Sequence, residues 1–329
     1  QRQMCIRDST HRYAYLVNEL GISTSNILCV TFTNKAAREM SKRIRQMIGD
    51  SDTGYICTFH GFCVKLLRED IHAINFPQNF VVMDDEDTEE ILKTVYENAH
   101  IQSRTYTFDS ARDHITAMKS QMLHIPYLAE IGNEKLLADY EKAEKVEDKV
   151  FLGYLYEQKK VYGLDYDDLI TIALYILQTD ETKRIKWQER MMYVMVDEFQ
   201  DVSNSQYALA EILSGYHRNL FIVGDPDQTI YTWRGAQIEY ILEFDETHEN
   251  TRTIFLDMNY RSTPEILAVS NSLIEKNRKR LPHRLEAYKE SGRRPQYIHS
   301  RTTGDEAQWM TSEIQRLVSE GASYNEMAV

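Results

Sequence analysis

Met191 to Asp201 reads MMYVMVDEFQD, an apolar run of strand length that stops on two adjacent carboxylates, Asp197 and Glu198. An uninterrupted apolar run of this kind suits a strand buried in a parallel sheet. In open α/β sheets, ligands meet the carboxyl ends of the strands. Paired acid at such an end is how nucleotide hydrolases set a magnesium ligand beside a group that activates water. Carboxylates at strand ends also serve as caps and ion-pair partners, so the neighbouring segments have to decide between these roles.

Working outward, Asn219–Val223 (NLFIV) is a second buried strand, running through Gly224 into Asp225, and Ser205–Leu213 between the two is a helix. Upstream, Asn26–Phe32 (NILCVTF), Tyr55–Thr58 and Phe80–Met83 read as strands. His11–Leu20 has apolar residues at helical spacing and closes on Gly21. Thr33 or Asn34 caps a helix whose face Ala37, Met40, Ile44 and Ile48 is apolar. Lys35, Arg38, Lys42, Arg43 and Arg45 fall largely on its other faces, and a further helix covers Phe62–Arg68. From Asp84 to about Tyr162 helical periods take over, which reads as an insertion, and Leu164–Leu177 returns as a helix. Downstream, Thr253–Leu256 and Pro295–Ser300 are predicted strands, with helices from Pro264 and over Asp305–Ser319. Strands alternating with helices predict an α/β fold with a parallel sheet. The first nine residues, QRQMCIRDS, show no helical or strand period and are expected to be a non-native leader.

At 329 residues the chain exceeds what one core usually supports, so two or more domains are expected. No apolar run reaches the roughly 18 residues of a membrane span, and no signal peptide opens the sequence, which predicts a cytoplasmic protein without a membrane partner. The four cysteines, Cys5, Cys29, Cys57 and Cys63, have no paired CxxC spacing and read as reduced thiols. A net charge of -13 runs against nucleic-acid binding. Its distribution matters more than its sum: acid gathers in Asp84–Glu90 (DDEDTEE) and Glu134–Asp148, base in Lys35–Arg45 and Lys276–Arg284.

Five stretches read together are more specific: VTFTNKAAREM (Val30–Met40), TFHGFC (Thr58–Cys63), VDEFQD (Val196–Asp201), VGDPDQTIYTWRGA (Val223–Ala236) and NYRST (Asn259–Thr263). In this order they resemble motifs Ia, Ib, II, III and IV of the superfamily-one DNA helicases of the UvrD/Rep/PcrA type. The resemblance implies a RecA-like, P-loop NTPase-type sheet formed by residues 10–83 and 163–251, a helical insertion at 84–162, and the start of a second RecA-like domain at 252–329. It implies an ATP-dependent 3′ to 5′ DNA helicase of repair or replication, with ATP and Mg²⁺ as cofactors. Single-stranded and forked DNA would be its partners, and a monomer or weak dimer its state.

Residue by residue, the resemblance makes Asp197 the Mg²⁺ ligand, Glu198 the base for the attacking water, and Gln228 the sensor of the γ-phosphate. Tyr260 would stack on adenine and Arg261 reach the γ-phosphate. Phe32 and Trp233 would stack on bases, Arg234 would lie at the DNA beside Trp233, and Thr31, Thr33, Asn34, Thr58 and His60 would contact the DNA backbone. Bland alternatives stand beside these roles: core packing for Phe32, a buried structural histidine for His60, loop hydrogen bonding for Gln228 and a structural cap for Arg261. Asp201 and Gln206 continue motif II, and Asp167 and Asp168 in DYDDLI are assigned to structure or DNA-site support.

The pattern GxxxxGK[ST] that cradles β- and γ-phosphates is absent: none of the 13 glycines is followed by Lys. The chain by itself is therefore expected to be idle as an ATPase. Competing readings are a single-stranded-DNA-binding fragment, the helicase part of a RecB/AddA-like helicase-nuclease, and a non-catalytic RecA-like module.

Overall fold

A computed structural model describes residues 2–49, 52–281 and 283–329, apart from the side chains of residues 2–6 and 234. The chain forms two compact units, one up to Thr253 and one from Ile254.

In the first unit, helix α1 (Arg2–Asn18) leads into β1 (Ile27–Val30), α2 (Asn34–Ile48), β2 (Tyr55–Cys57) and α3 (Phe59–Asp70). Residues 2–9, which show no helical period in the sequence, are helical and continuous with the helix that follows, where Ser9 and Thr10 are buried. After β3 (Val81–Val82) come five helices, α4 (Asp85–Asn98), α5 (Phe108–Ser120), α6 (Ile125–Leu128), α7 (Glu134–Lys142) and α8 (Val146–Lys160). Strand β4 (Gly163–Leu164) pairs in parallel with β3 and so closes the base of this helical excursion. Helices α9 (Tyr166–Thr179) and α10 (Glu181–Arg190) precede β5 (Tyr193–Val196), α11 (Asn204–Ser214), β6 (Leu220–Ile222), and the short α12 (Glu239–Leu242) and α13 (Phe244–Thr247).

The main sheet is parallel throughout, in the order β2-β1-β5-β6, with Val30 level with Cys57 and Val196, and Val196 level with Ile222. Alternation along the two central strands explains why both faces are covered. Leu28, Val30, Val194 and Val196 enter the core built with α3, α9 and α11, while Ile27, Cys29 and Met195 enter the opposite core with Tyr13, Leu16, Met40 and Ile44 from α1 and α2. An apolar residue at every position is what two buried faces demand. The thiols of Cys29 and Cys63 are buried and that of Cys57 is half-buried, and all three are free. The helical excursion has a core of its own around Leu92, Val95, Ile115, Phe151 and Leu155. Its acidic entry is a cap: Asp84 and Asp87 form a reciprocal capping box at the start of α4, where the helix dipole favours negative charge.

The second unit contains β7 (Met258–Asn259), α14 (Pro264–Ile274), β8 (Glu286–Ala287) and α15 (Thr303–Ser319). The strands expected at Thr253–Leu256 and Pro295–Ser300 are absent among the described residues. Ile254, Phe255, Leu256 and Tyr297 are exposed instead. A β-prone sequence becomes a strand only where a neighbour supplies the ladder of hydrogen bonds, and neither segment has one.

Candidate active site and nucleic-acid ledge

Parallel pairing brings the carboxyl ends of β1, β2, β5 and β6 to one edge, and the first four motifs sit there because each begins where one of these strands stops. The backbone ladder carries past the strands: Asp197 N–H donates to Val30 O at 2.9 Å, Thr31 N–H to Cys57 O at 3.1 Å, and Phe199 N–H to Val223 O at 3.0 Å. Thr31 and Asp197 are both buried, and the Thr31 hydroxyl approaches Asp197 Oδ2 at 3.4 Å. The Asp197 charge is felt behind the edge, where burial first and that carboxylate second push the Cys29 thiol up.

Glu198 turns the chain with φ of 54°, in the left-handed region that non-glycine residues enter at a cost of about 1–3 kcal/mol. That turn begins the 3-10 segment Phe199–Asp201 and sets the half-buried Glu198 side chain at the sheet edge. Gln200, buried and not singled out by the sequence reading, donates from Nε2 to Glu198 Oε2 at 2.9 Å and to Asp201 Oδ2 at 3.4 Å. A glutamine following strand-end acid was the available signal. The Asp197 carboxylate is an oxygen donor of the kind a hard divalent cation takes, whereas the Thr31 hydroxyl, expected at a DNA backbone, is buried and donates to Asp197 instead.

After β6, Asp225 accepts from Gln228 Nε2 at 2.6 Å and from the Asp227 N–H at 3.0 Å. Gln228 itself is exposed at this edge. Next to it lie three aromatic rings. Phe32 stacks on Tyr231 with centroids 5.0 Å apart, and Tyr231 stands 6.3 Å from Trp233. Phe32 is half-buried and belongs to none of the hydrophobic cores, whereas Trp233 is 73% exposed. Tyr231 was also missed, although a tyrosine two residues before the tryptophan in IYTWRG is visible in the sequence. The Arg234 side chain lies outside the described residues.

Thr33 caps α2 by accepting from Ala36 N–H, and Thr58 caps α3 by accepting from Gly61 N–H, each at 3.1 Å. Both hydroxyls keep a proton to donate. Asn34 is exposed at the start of α2. His60, half-buried, meets Tyr166 edge-on at 5.3 Å; burial lowers its pKa against the pull of Asp167, so the ring is neutral at neutral pH. Asp167 accepts from the Thr116 hydroxyl, and Asp168 is fully buried against Lys119.

Tyr260 and Arg261 belong to the second unit. There the buried Asn259 side chain accepts from the N–H groups of Arg261 and Ser262, a local turn that presents the two exposed side chains, with Tyr260 set 4.8 Å from Tyr288.

A parallel sheet with acid at its carboxyl edge is an architecture shared with RecA-like nucleotide hydrolases. Two family profiles match this chain, the UvrD/REP helicase N-terminal domain over residues 9–249 and the UvrD-like helicase C-terminal domain over residues 254–329. The ATP-dependent DNA helicases PcrA of Staphylococcus aureus and Staphylococcus epidermidis are each 36% identical to it over 321 residues, which is 97% of this chain and 43% of those proteins. The chain belongs to the UvrD/REP helicase family and spans less than half the length of these relatives. Among the described residues no helix is long and apolar enough to cross a membrane.

Proposed function

We propose that this chain is part of an ATP-dependent DNA helicase that moves 3′ to 5′ along single-stranded DNA and opens forked duplexes in repair or replication. Residues 10–83 and 163–251 are its first RecA-like domain, 84–162 a helical insertion, and 252–329 belong to its second. The observation that carries the reading is the meeting, at one edge of a parallel sheet, of the acid pair Asp197–Glu198 and the aromatic ledge Phe32–Tyr231–Trp233. An acid pair alone fits any nucleotide hydrolase; the ledge adds a surface on which unpaired bases stack irrespective of sequence.

In this reading Asp197, with Glu198 nearby, would hold a Mg²⁺ ion, which would offset phosphate charge. Glu198 would orient and deprotonate the attacking water and Gln228 would sense the γ-phosphate; in the second unit, taken by itself, Tyr260 is a candidate for stacking on adenine and Arg261 for binding phosphate. Thr33, Asn34, Thr58 and His60 hold the DNA backbone without reading sequence, His60 as a neutral group. Stepping of the strand corresponds to bases leaving and re-entering the ledge. The protein works as a monomer or weak dimer in the cytoplasm.

The test is magnesium-dependent ATP turnover by the full-length protein, with and without oligo(dT), and unwinding of duplexes bearing a 3′ or a 5′ tail. Stimulation by oligo(dT) and unwinding from the 3′ tail are expected. Turnover indifferent to DNA would overturn the helicase reading, and unwinding only from a 5′ tail would overturn the polarity.

A further inference from the structure

Gln200 is a polar side chain with 1% exposure whose amide is engaged at both ends. Its Oε1 accepts the Asp225 N–H at 3.0 Å, and its Nε2 faces Glu198 at 2.9 Å and Asp201 at 3.4 Å. The orientation of the amide follows from its partners, because a backbone N–H can only donate and a carboxylate can only accept. One side chain thus joins the segment after β5 to the segment after β6.

The approach is close enough to restrict the backbone opposite. A methyl group on Gly224 would stand 2.7 Å from Gln200 Oε1, 2.8 Å from Ile241 Cδ1 and 3.1 Å from the Phe199 nitrogen, so only glycine admits these contacts unshifted. Beyond the amide, the connection continues in two directions. Asp225 is bonded to Gln228, and an antiparallel bridge between Ser203 and Ala236, with Gln237 N–H donating to Val202 O at 3.2 Å, returns the aromatic segment to the same strand end. Residues 198–203 and 225–237 are therefore held as one piece, with Glu198 at one extremity and Trp233 near the other.

We infer that Gln200 is a positioning residue that couples the Glu198 carboxylate to the loop bearing Gln228 and the aromatic ledge, so that DNA on the ledge is sensed at the hydrolytic centre through this amide. The inference rests on the helicase reading above. A displacement of the ledge moves Asp225, Asp225 moves the amide, and the amide carries the carboxylate with it. Buried amide networks transmit such shifts because each member has few alternative partners.

The experiment uses the full-length protein and three variants. Gln200→Glu keeps the acceptor for Asp225 N–H and replaces the donor facing Glu198 with a like charge. Gln200→Leu removes both ends at similar volume, and Gly224→Ala displaces the amide without altering it, so a folding failure in one variant leaves the others. Melting temperature and oligo(dT) affinity serve as controls for the fold and the ledge. In folded variants we expect the ratio of DNA-stimulated to unstimulated kcat to fall about 30-fold or more, whatever the change in the unstimulated rate, with KM for ATP within about threefold of the parent. Amide exchange at Asp225 should accelerate at least about tenfold in Gln200→Leu and remain near parental in Gln200→Glu. Retention of the parental stimulation ratio in folded variants would overturn the coupling, as would an equal loss of stimulated and unstimulated turnover. A parent protein whose turnover ignores DNA defeats the helicase reading itself, and the coupling falls with it.

Discussion

Two acid clusters in the first unit have nearly the same sequence appearance and opposite settings. At the start of α9, Asp165 and Asp168 close on a buried lysine: Lys119 Nζ lies 2.5 Å from Asp165 Oδ2 and 2.8 Å from Asp168 Oδ1. Tyr154 donates to Asp165 and Gln158 to Asp168. Burial opposes the charge on Asp165, but the attraction of Lys119 and the hydrogen bonds from Lys119 and Tyr154 outweigh it and hold that carboxyl low. At the end of β5, a hydroxyl and an amide, Thr31 and Gln200, are among the donors that meet Asp197 and Glu198. Neutral donors orient a carboxylate without cancelling its charge. The comparison teaches that acids of one kind are locked into a core where the helical excursion brings a buried lysine to them, and are set at a sheet edge, with Glu198 half-buried, where a strand stops.

The sharpest way to break this contrast is to neutralise one member of each cluster. Glu198→Gln in the full-length protein should lower ATP turnover by about 10²–10⁴-fold, the usual worth of a general base, while the melting temperature changes little. Lys119→Met should act the other way round. It leaves two buried carboxylates without their cation and should cost about 3–5 kcal/mol in a denaturant titration, since breaking a buried pair from one side exposes the full desolvation penalty. If Lys119→Met were neutral for stability, the clasp would be no clasp.

A smaller effect separates the ledge from both clusters. Trp233→Ala should weaken oligo(dT) binding by about 1–3 kcal/mol, read by fluorescence anisotropy, and leave folding stability unchanged because the ring is exposed. The smallest, when read over the first pH unit below 6.5, concerns His124, which is buried beside the clasp, with its Nε2 3.2 Å from the Thr171 hydroxyl and 3.3 Å from Asp168. Burial, and then the Lys119 charge, hold its pKa to about 3 against the pull of Asp165. A depressed folded pKa means that the unfolded chain takes up the proton first as pH falls. The neutral histidine therefore contributes its full share above pH 6.5 and loses it toward pH 3, by up to about 1.4 kcal/mol per pH unit. His124→Gln should remove that slope, and a pH-independent gap between the two proteins would show that His124 titrates normally.

Much of the sheet was legible in the residues. NILCVTF and MMYVMV specify strands covered on both sides, and Thr33 marks a helix start where it caps, whereas the helix predicted from Phe62 begins at Phe59 with Thr58 as its cap. Asp197 and Glu198 stood out because acid ending an apolar run has few ordinary explanations. Gln200 and Tyr231 did not stand out, since an amide or a ring in a loop acquires meaning only from what lies across the gap. Gln200 meets Asp225, 25 positions away, and Tyr231 meets Phe32 from another strand. Thr253–Leu256 and Pro295–Ser300 show the converse, β-prone composition without a neighbour to pair with. The first residues lack a clear apolar period yet continue a helix, because α1 is anchored further along, through Tyr13 and Leu16.

By itself the sequence determined the alternation of strands and helices, the caps, and the family motifs with the acid they carry, because these depend on residues near one another in the chain. Only the tertiary structure decided which acids find a cation, which rings stack, and which amide joins two loops. Those depend on the order β2-β1-β5-β6, which lays segments far apart in sequence side by side at one edge. Local periodicity encodes the elements, whereas charge compensation and coupling arise from distances that exist only once the elements are packed.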